Sequence, residues 1–229
     1  MSGHSIPVIT IDGPSGSGKG TIARRLALEL GFHWLDSGAL YRCVALEALE
    51  RRVAWGDEAA LAAFIPKLSI EFTEDSQGNE SIKINGREVS GQLRTEQAAA
   101  GASTVAVLPQ VRQALLALQQ SQKRPRGLVA DGRDMGTVVF PEAVAKIFLT
   151  ASAEARAQRR YKQLKDKGET VNLIDLVQEI ALRDERDANR TVAPLRPADG
   201  AVIVDSTNLS IDQVLSLVRD VAARALVKA

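Results

Sequence analysis

With 229 residues, 45% of them apolar and 25% charged, the chain holds one large domain, or a domain with insertions, and has enough apolar material for a sizeable core. Its 29 Lys+Arg against 28 Asp+Glu leave a formal charge of +1, which excludes a protein that lives on nucleic acid or an anionic membrane through bulk electrostatics; any basic site is local. The single cysteine, Cys43, excludes an internal disulfide, a thiolate zinc site and a CxxC redox pair, and fits a reducing, cytoplasmic compartment.

Residues 1–13 lack a cationic region followed by an apolar stretch of signal-peptide length, because Pro7 and Asp12 bracket only residues 8–11. An apolar run at 8–11 predicts a strand buried on both faces, and helical spacing follows over 22–30, closed by Gly31. A helix is expected over 40–52. From 68 to 89 the pattern switches to Ile70 and Phe72, a polar turn Gln77-Gly78-Asn79, then Ile82, Ile84, an Asn85-Gly86 turn and Val89. Asn-Gly between alternating apolar residues is a strong hairpin signal, so a small antiparallel sheet is expected here, inserted into the core. The longest charge-free stretch, 97–111, has 15 residues and contains Pro109, short of the roughly 20 apolar residues that span a bilayer.

Helical spacing returns over 111–120, followed by apolar strand runs at 128–130 and 147–149. Residues 152–197 carry two charged helices, 154–165 and 173–189, with ten Lys+Arg, eight Asp+Glu and no strand, and read as a mobile cap. A last strand at 202–204 precedes a helix over 211–227 that opens on the capping-box pair Ser210 and Gln213. Strands alternating with helices imply a parallel sheet with helices on both faces.

The motif with the most chemical content follows the first strand: Gly13-Pro14-Ser15-Gly16-Ser17-Gly18-Lys19-Gly20-Thr21. Strand, glycine-rich turn and helix start make a phosphate-binding P-loop: the glycines bring backbone N–H groups close to phosphate oxygens, and the helix aims its positive end at the same place. Lys19 would reach the β and γ phosphates, and Thr21 would support a magnesium ion directly or through water. The usual pattern has Ser or Thr immediately after the lysine; here Gly20 intervenes, a form seen in nucleoside monophosphate kinases.

A GTPase reading fails because no Asn-Lys-x-Asp exists, and the one Asp-x-x-Gly match, Asp75 to Gly78, falls in the hairpin turn. The strand 128–130 ends in Asp131-Gly132-Arg133-Asp134, which puts an acid at a carboxyl end, where ligands bind in open α/β sheets. Asp36-Ser37 begins a helix that also carries Arg42; this is either an ordinary N-cap or a second anion site. Arg183, Asp187 and Arg190 share a helix face, which is either functional or a solvated face with ion pairs. The 29 cations divide into 20 Arg and 9 Lys, a skew toward the residue whose fork pairs with phosphate. His4 and His33 lie outside any ligand spacing, and Trp34, Trp55 and Cys43 read as packing residues.

Through GPSGSGKGT at 13–21, DSGALYR at 36–42, ADGRDMGTVVFP at 130–141 and RDERDANRTVAPL at 183–195, the chain resembles the bacterial cytidylate kinases, the CMP/dCMP kinases, over essentially its whole length. The resemblance implies a P-loop three-layer α/β/α fold with a five-stranded parallel sheet, 33–35 supplying the fifth strand. It further implies a nucleotide-monophosphate insert over 64–100 and a helical lid over 152–197, all within one kinase domain. The implied reaction is ATP plus CMP or dCMP giving ADP plus CDP or dCDP with Mg2+; charge, cysteine usage and apolar-run length set the expectation of a cytoplasmic protein without nucleic-acid or membrane partners, and a monomer is the default expectation.

By the same resemblance, residues 13–21 and Arg159 meet ATP. Ser37, Arg42 and Arg133 lie around the CMP phosphate, and Arg183 with Asp187 lies near the ribose. Arg112 donates to the cytosine acceptors, while Ser103 and Asp134 receive from its amino group, with Arg190 holding Asp134. Lys19, Arg133, Arg183 and Arg159 are the expected catalytic cations; Arg156 and Arg160 read as weaker candidates or plain solvated charges. The competing readings are a P-loop kinase for another small acceptor, such as AMP, UMP or shikimate, and a nucleotide-binding module without transfer. The second predicts a damaged site, whereas Lys19, Thr21 and the arginines are all present.

Overall fold

The computed structural model describes residues 6–74, 80–166, 168 and 170–227. In chain order the elements are β1 (Val8–Asp12), α1 (Lys19–Leu30), β2 (His33–Asp36), α2 (Ser37–Glu50), α3 (Glu58–Phe64), β3 (Ile70–Glu74), β4 (Glu80–Ile84) and β5 (Arg87–Glu88). There follow α4 (Ser90–Leu93), α5 (Glu96–Val105), α6 (Pro109–Gln120), β6 (Leu128–Gly132), β7 (Ala145–Thr150), α7 (Ala153–Asp166), α8 (Leu173–Ala188), β8 (Val202–Asp205) and α9 (Ile211–Leu226). They pack as two compact units, Met1–Asp36 with Gln122–Ala229, and Ser37–Ser121.

The first unit is built on a five-stranded sheet in the order β2-β6-β1-β7-β8. Every pairing in it is parallel. All five strands therefore end at one edge, where parallel α/β sheets bind ligands. Because side chains alternate, Ile9 and Ile11 of β1 join a core with Val129, Ile147 and Leu149 and with Ile22, Leu26, Val214, Leu215 and Val218 of α1 and α9. Thr10 and Asp12 take the opposite face, where a five-residue π turn, Met135–Val139, meets β1. Gly31 ends α1 in a left-handed conformation, with φ of 66° and its N–H donated back to Leu28, as the sequence predicts. The capping box on Ser210 and Gln213 is present at the start of α9.

One expectation is corrected. The run at 202–204 reads as buried on both faces, but β8 is an edge strand with Val202 and Ile203 exposed; only Val204 reaches the core. Apolar composition signals a strand, whereas burial depends on a neighbour that an edge position lacks.

The second unit contains the antiparallel sheet β3-β4-β5. Register pairs Ile70 with Ile84 and Phe72 with Ile82, which places the apolar set on one face. Asn85 and Gly86 form the two-residue turn between β4 and β5, both with positive φ, as a type I′ turn requires. The Gln77-Gly78-Asn79 turn lies outside the described residues, as does His4. Helix α5 runs into the charge-free stretch from Glu96 and packs against α2. Gly101 makes that approach possible: a Cβ there would lie 2.6 Å from Trp55 Cζ2 and 2.8 Å from Ala45 Cβ. Trp55 is fixed by its indole N–H, which donates to the Ala45 carbonyl at 2.9 Å.

Gly101→Ala therefore sets a gain of about 1 kcal/mol in helix propensity against an overpacking cost of about 1–3 kcal/mol. We expect net destabilisation of up to about 2 kcal/mol, read by urea unfolding, together with a shift in Trp55 emission; unchanged stability and emission would mean that α2 and α5 do not meet this closely.

Candidate active site

The phosphate loop joins β1 to α1. Gly13 is required by close approach: a Cβ there would sit 2.0 Å from the Leu149 carbonyl oxygen. Gly18 caps α1 from the left-handed region, with φ of 91°. Three loop carbonyls are held by protein donors. Lys19 Nζ donates to Pro14 O at 3.1 Å, Arg156 to Ser15 O at 3.1 Å, and Ser17 O accepts from Ser206 Oγ at 3.2 Å and Arg159 at 3.3 Å. Successive amides in such a turn make the concave nest that binds anions. Ser17 Oγ is buried without a hydrogen-bond partner among the described residues, a polar atom suited to a phosphate oxygen.

The sheet edge beside the loop concentrates charge. Asp36 of β2 and Asp131 of β6 are register partners, so two carboxyls stand on adjacent strand ends. Trp34 Nε1 donates to Asp131 Oδ1 at 2.8 Å, and Asp131 Oδ2 lies 3.8 Å from where a Cβ on Gly20 would be. Burial first and then Asp36 push Asp131 up to about 7, against the pull of Lys19. Burial and the nearby charges of Arg133 and Arg183 bring Lys19 down to about 7, opposed by Asp131 and Asp36. The structure thus places Lys19, Arg133 and Arg183 within mutual electrostatic reach, as a site for a polyanion requires.

Asp187 organises the arginines. It is 1% exposed and pairs with Arg133 Nε at 2.7 Å and with Arg190. Burial raises its carboxyl, but Arg133, Arg190 and Arg183 together outweigh that and hold it below the usual carboxylate range. The solvated-face reading of 183–190 is therefore corrected, as is the helix boundary: α8 ends at Ala188, Asn189 caps it, and Arg190 lies just beyond. Asp134 is buried at the head of the π turn.

Arg159 donates to Ser206 Oγ at 3.1 Å and to Ser206 O at 2.5 Å besides Ser17 O, so it lies against the loop. Arg156, read from sequence as a weaker candidate or plain solvated charge, is 4% exposed and fully engaged. Nε donates to Ala151 O at 3.0 Å, and the guanidinium grips both carboxylate oxygens of Asp184 on α8, at 3.0 and 2.5 Å. Its Cβ is 3.1 Å from the Cβ position of Gly16, so α7 packs directly on the loop. Arg160 is half-buried. Thr21 is exposed on the first turn of α1.

In the other unit, Ser37 is buried at the start of α2 and Arg42 is half-buried one turn on. Ser103 of α5 and Arg112 of α6 are both buried. Arg112 donates to Ala106 O at 3.1 Å and lies over the Tyr41 ring, 5.8 Å from its centroid.

Residues absent from the sequence-derived site are Asp12, Trp34 and Ser206; the sequence offers Asp36 only at a helix start, Asp131 only as an acid at a strand end, and Arg156 only as a weaker candidate. The legible signal was that β1, β2 and β8 each end in Asp while β6 ends in Asp-Gly; the partners of Arg156 and Ser206, far apart in sequence, left none.

A family model described as cytidylate kinase matches residues 9–224. The cytidylate kinase of Pasteurella multocida is 56% identical over 209 residues, covering 91% of this chain and 92% of its own. That of Pseudomonas putida is 56% identical over 223 residues, covering 96% and 98%. Among solved structures, an uncharacterised protein from Eubacterium ventriosum shares the fold, with a TM-score of 0.50, 10% identity and coverage of 94% and 97%.

Removing the Arg156 guanidinium takes a donor from the partly exposed Asp184 and from the Ser15 carbonyl, so Arg156→Ala should cost about 2 kcal/mol in chemical denaturation. A cost below about 0.5 kcal/mol would be that of a solvated charge. With a P-loop motif at the carboxyl edge of its parallel sheet and a match over nearly the entire chain, this protein belongs to the cytidylate kinase family.

Proposed function

We propose that the protein catalyses ATP-dependent phosphorylation of CMP and dCMP to CDP and dCDP, by in-line transfer of the γ-phosphoryl group. The observation that carries the reading is the cluster of Lys19, Arg133 and Arg183 around the carboxyl ends of β1 and β6. The acceptor phosphate has a second pKa of about 6 and is largely ionised at neutral pH, so no strong base is needed. Catalysis then rests on positioning and on cations that neutralise the transferring group. In this reading residues 13–21 hold the ATP phosphates, Arg159 meets ATP, and Lys19, Arg133, Arg183 and Arg159 supply the neutralising charge.

The acceptor residues form two sets, each within one unit. Arg133, Asp134, Arg183, Asp187 and Arg190 address the phosphate, ribose and amino group. Ser37 and Arg42 address the phosphate, and Ser103 and Arg112 the base. A donor and two acceptors on the cytosine edge suit an Arg with Ser and Asp better than uracil does, which has a carbonyl in place of the amino group.

The donor set fits Mg2+, which prefers one or two carboxylates together with substrate phosphates. Thr21 would hold it directly or through water and Asp131 through water. The ion would neutralise charge on the β and γ oxygens. Helices α7 and α8 would act as the lid that excludes water, protecting ATP from hydrolysis. A monomer in the cytoplasm is the setting we propose.

ADP release measured with CMP, dCMP, UMP, AMP, shikimate and no acceptor tests the reading: fast turnover confined to CMP and dCMP is expected, and preference for another acceptor overturns it. Lys19→Ala should lower kcat by on the order of 1,000-fold, the size of a lost charge stabiliser, with every acceptor. Phosphates beside Lys19 raise its pKa from about 7, so ATP binding at pH 8 should take up a large fraction of a proton. Calorimetry in buffers of different ionisation enthalpy reads this directly; no uptake would mean that the phosphates do not lie at Lys19.

A further inference from the structure

Asp12 stands one residue before the phosphate loop but serves a different segment. Its two oxygens accept hydrogen bonds from the backbone N–H groups of Met135 and Gly136, both at 2.8 Å. Those amides open the π turn immediately after Arg133 and Asp134. The turn lies close on β1: a Cβ at Gly136 would be 2.8 Å from Thr10 Oγ1 and 3.4 Å from Asp12 Oδ2. Asp12 itself is 2% exposed, and a buried carboxylate that faces two main-chain donors is held in one geometry.

We infer that Asp12 is a positioning residue for the acceptor nucleotide: by holding the amides of Met135 and Gly136, it sets the place of Arg133 and Asp134 and so the affinity for CMP. This rests on the reading of Arg133 and Asp134 as CMP-binding residues. It assigns Asp12 to the acceptor, although its place in the chain is beside the ATP loop.

Protonation state distinguishes this role from simple packing. Burial pushes Asp12 up to about 7 against the pull of its two amides, with Asp134 raising it further and Lys19 lowering it. On the flanking strands its register partners are the uncharged Gly132 and Phe148. Ionised Asp12 offers a full acceptor to each amide. Protonated, it keeps one good acceptor for two donors, so the hold on the turn weakens as pH falls through about 7. Asp12→Asn fixes the weakened state at every pH.

The test is steady-state kinetics between about pH 6 and pH 8.5 on the wild type, Asp12→Asn and Arg133→Ala. At pH 8, Asp12→Asn should raise KM for CMP about tenfold, the size of one lost hydrogen bond to a charged group, and leave KM for ATP within about twofold. The ratio of variant to wild-type KM for CMP should shrink as pH falls; the titration of CMP itself, near pH 6, is common to both and cancels. Equal rises for both nucleotides, or a ratio independent of pH, overturn the inference and leave Asp12 a structural residue. If Arg133→Ala raises KM for CMP while Asp12→Asn does not, the inference fails and the acceptor reading stands. If Arg133→Ala also leaves it unchanged, the acceptor reading fails and takes the inference with it. Should Asp12→Asn not fold, wild-type amide exchange decides. Met135 and Gly136 protected at pH 8, and less so at pH 6 after correction for intrinsic rates, support the inference; equal protection at both values overturns it.

Discussion

Cations held together at the carboxyl edge of the parallel sheet are the constraint on which the rest of the molecule depends. Burial first, and then the charges of Arg133 and Arg183, bring Lys19 down to about 7, while Asp131 and Asp36 oppose the shift. Each unit of such a shift corresponds to about 1.4 kcal/mol between the charged and neutral forms. A sheet that places this cluster at its ligand edge carries a standing electrostatic cost, which a bound polyanion removes. The parallel topology makes the cluster possible, because it sends the ends of β1, β2 and β6 to one side.

Ion pairs at two places, on Asp187 and between Arg156 and Asp184, hold the arrangement in shape, and they are complementary in sign. Asp187 places a negative charge among Arg133 and Arg190, so those forks keep fixed directions despite repulsion. Arg156 places a positive charge behind the phosphate loop, bridging Ser15 and Asp184. Both reach α7 or α8, a helix pair with its own small core of Ala157, Leu164, Leu176 and Ile180. A segment with a separate core that is tied to the sheet by polar contacts can shift as a body when a ligand competes for those contacts.

The fold was legible in the sequence where local chemistry decides it. Gly31, the Asn85-Gly86 turn and the Ser210-Gln213 capping box each act within a few residues, and each is realised as its spacing predicts. The phosphate loop was legible for the same reason. Burial was not: Val202-Ile203-Val204 is as apolar as the central strands, yet its edge position exposes two of the three. Arg156 shows the converse, a charge in a highly polar helix that is buried because Ser15 and Asp184, 141 and 28 residues away, converge on it. In the candidate site the sequence shows Asp131 as an acid at a strand end, but not the holding roles of Asp12, Asp131 and Trp34. Their role exists only through partners 97 to 124 positions distant, where no periodicity or motif reaches.

The state of the carboxyls bears on which acceptor the site suits. A general base for a hydroxyl acceptor would be a carboxyl tuned to about 7 and free to take a proton. Asp12 and Asp131 both have that tuning, through burial above all. Asp12 spends both oxygens on main-chain amides, and Asp131 is bonded to the Trp34 indole with Lys19 as its charge partner. In the proposed reaction a proton taken by either would loosen that edge of the sheet at the moment of transfer. An acceptor that arrives already ionised avoids that conflict, and a nucleoside monophosphate is such an acceptor. In the proposed reaction the raised carboxyls are scaffold acids, whose tuning follows from burial, and the chemistry would fall to the cations around them.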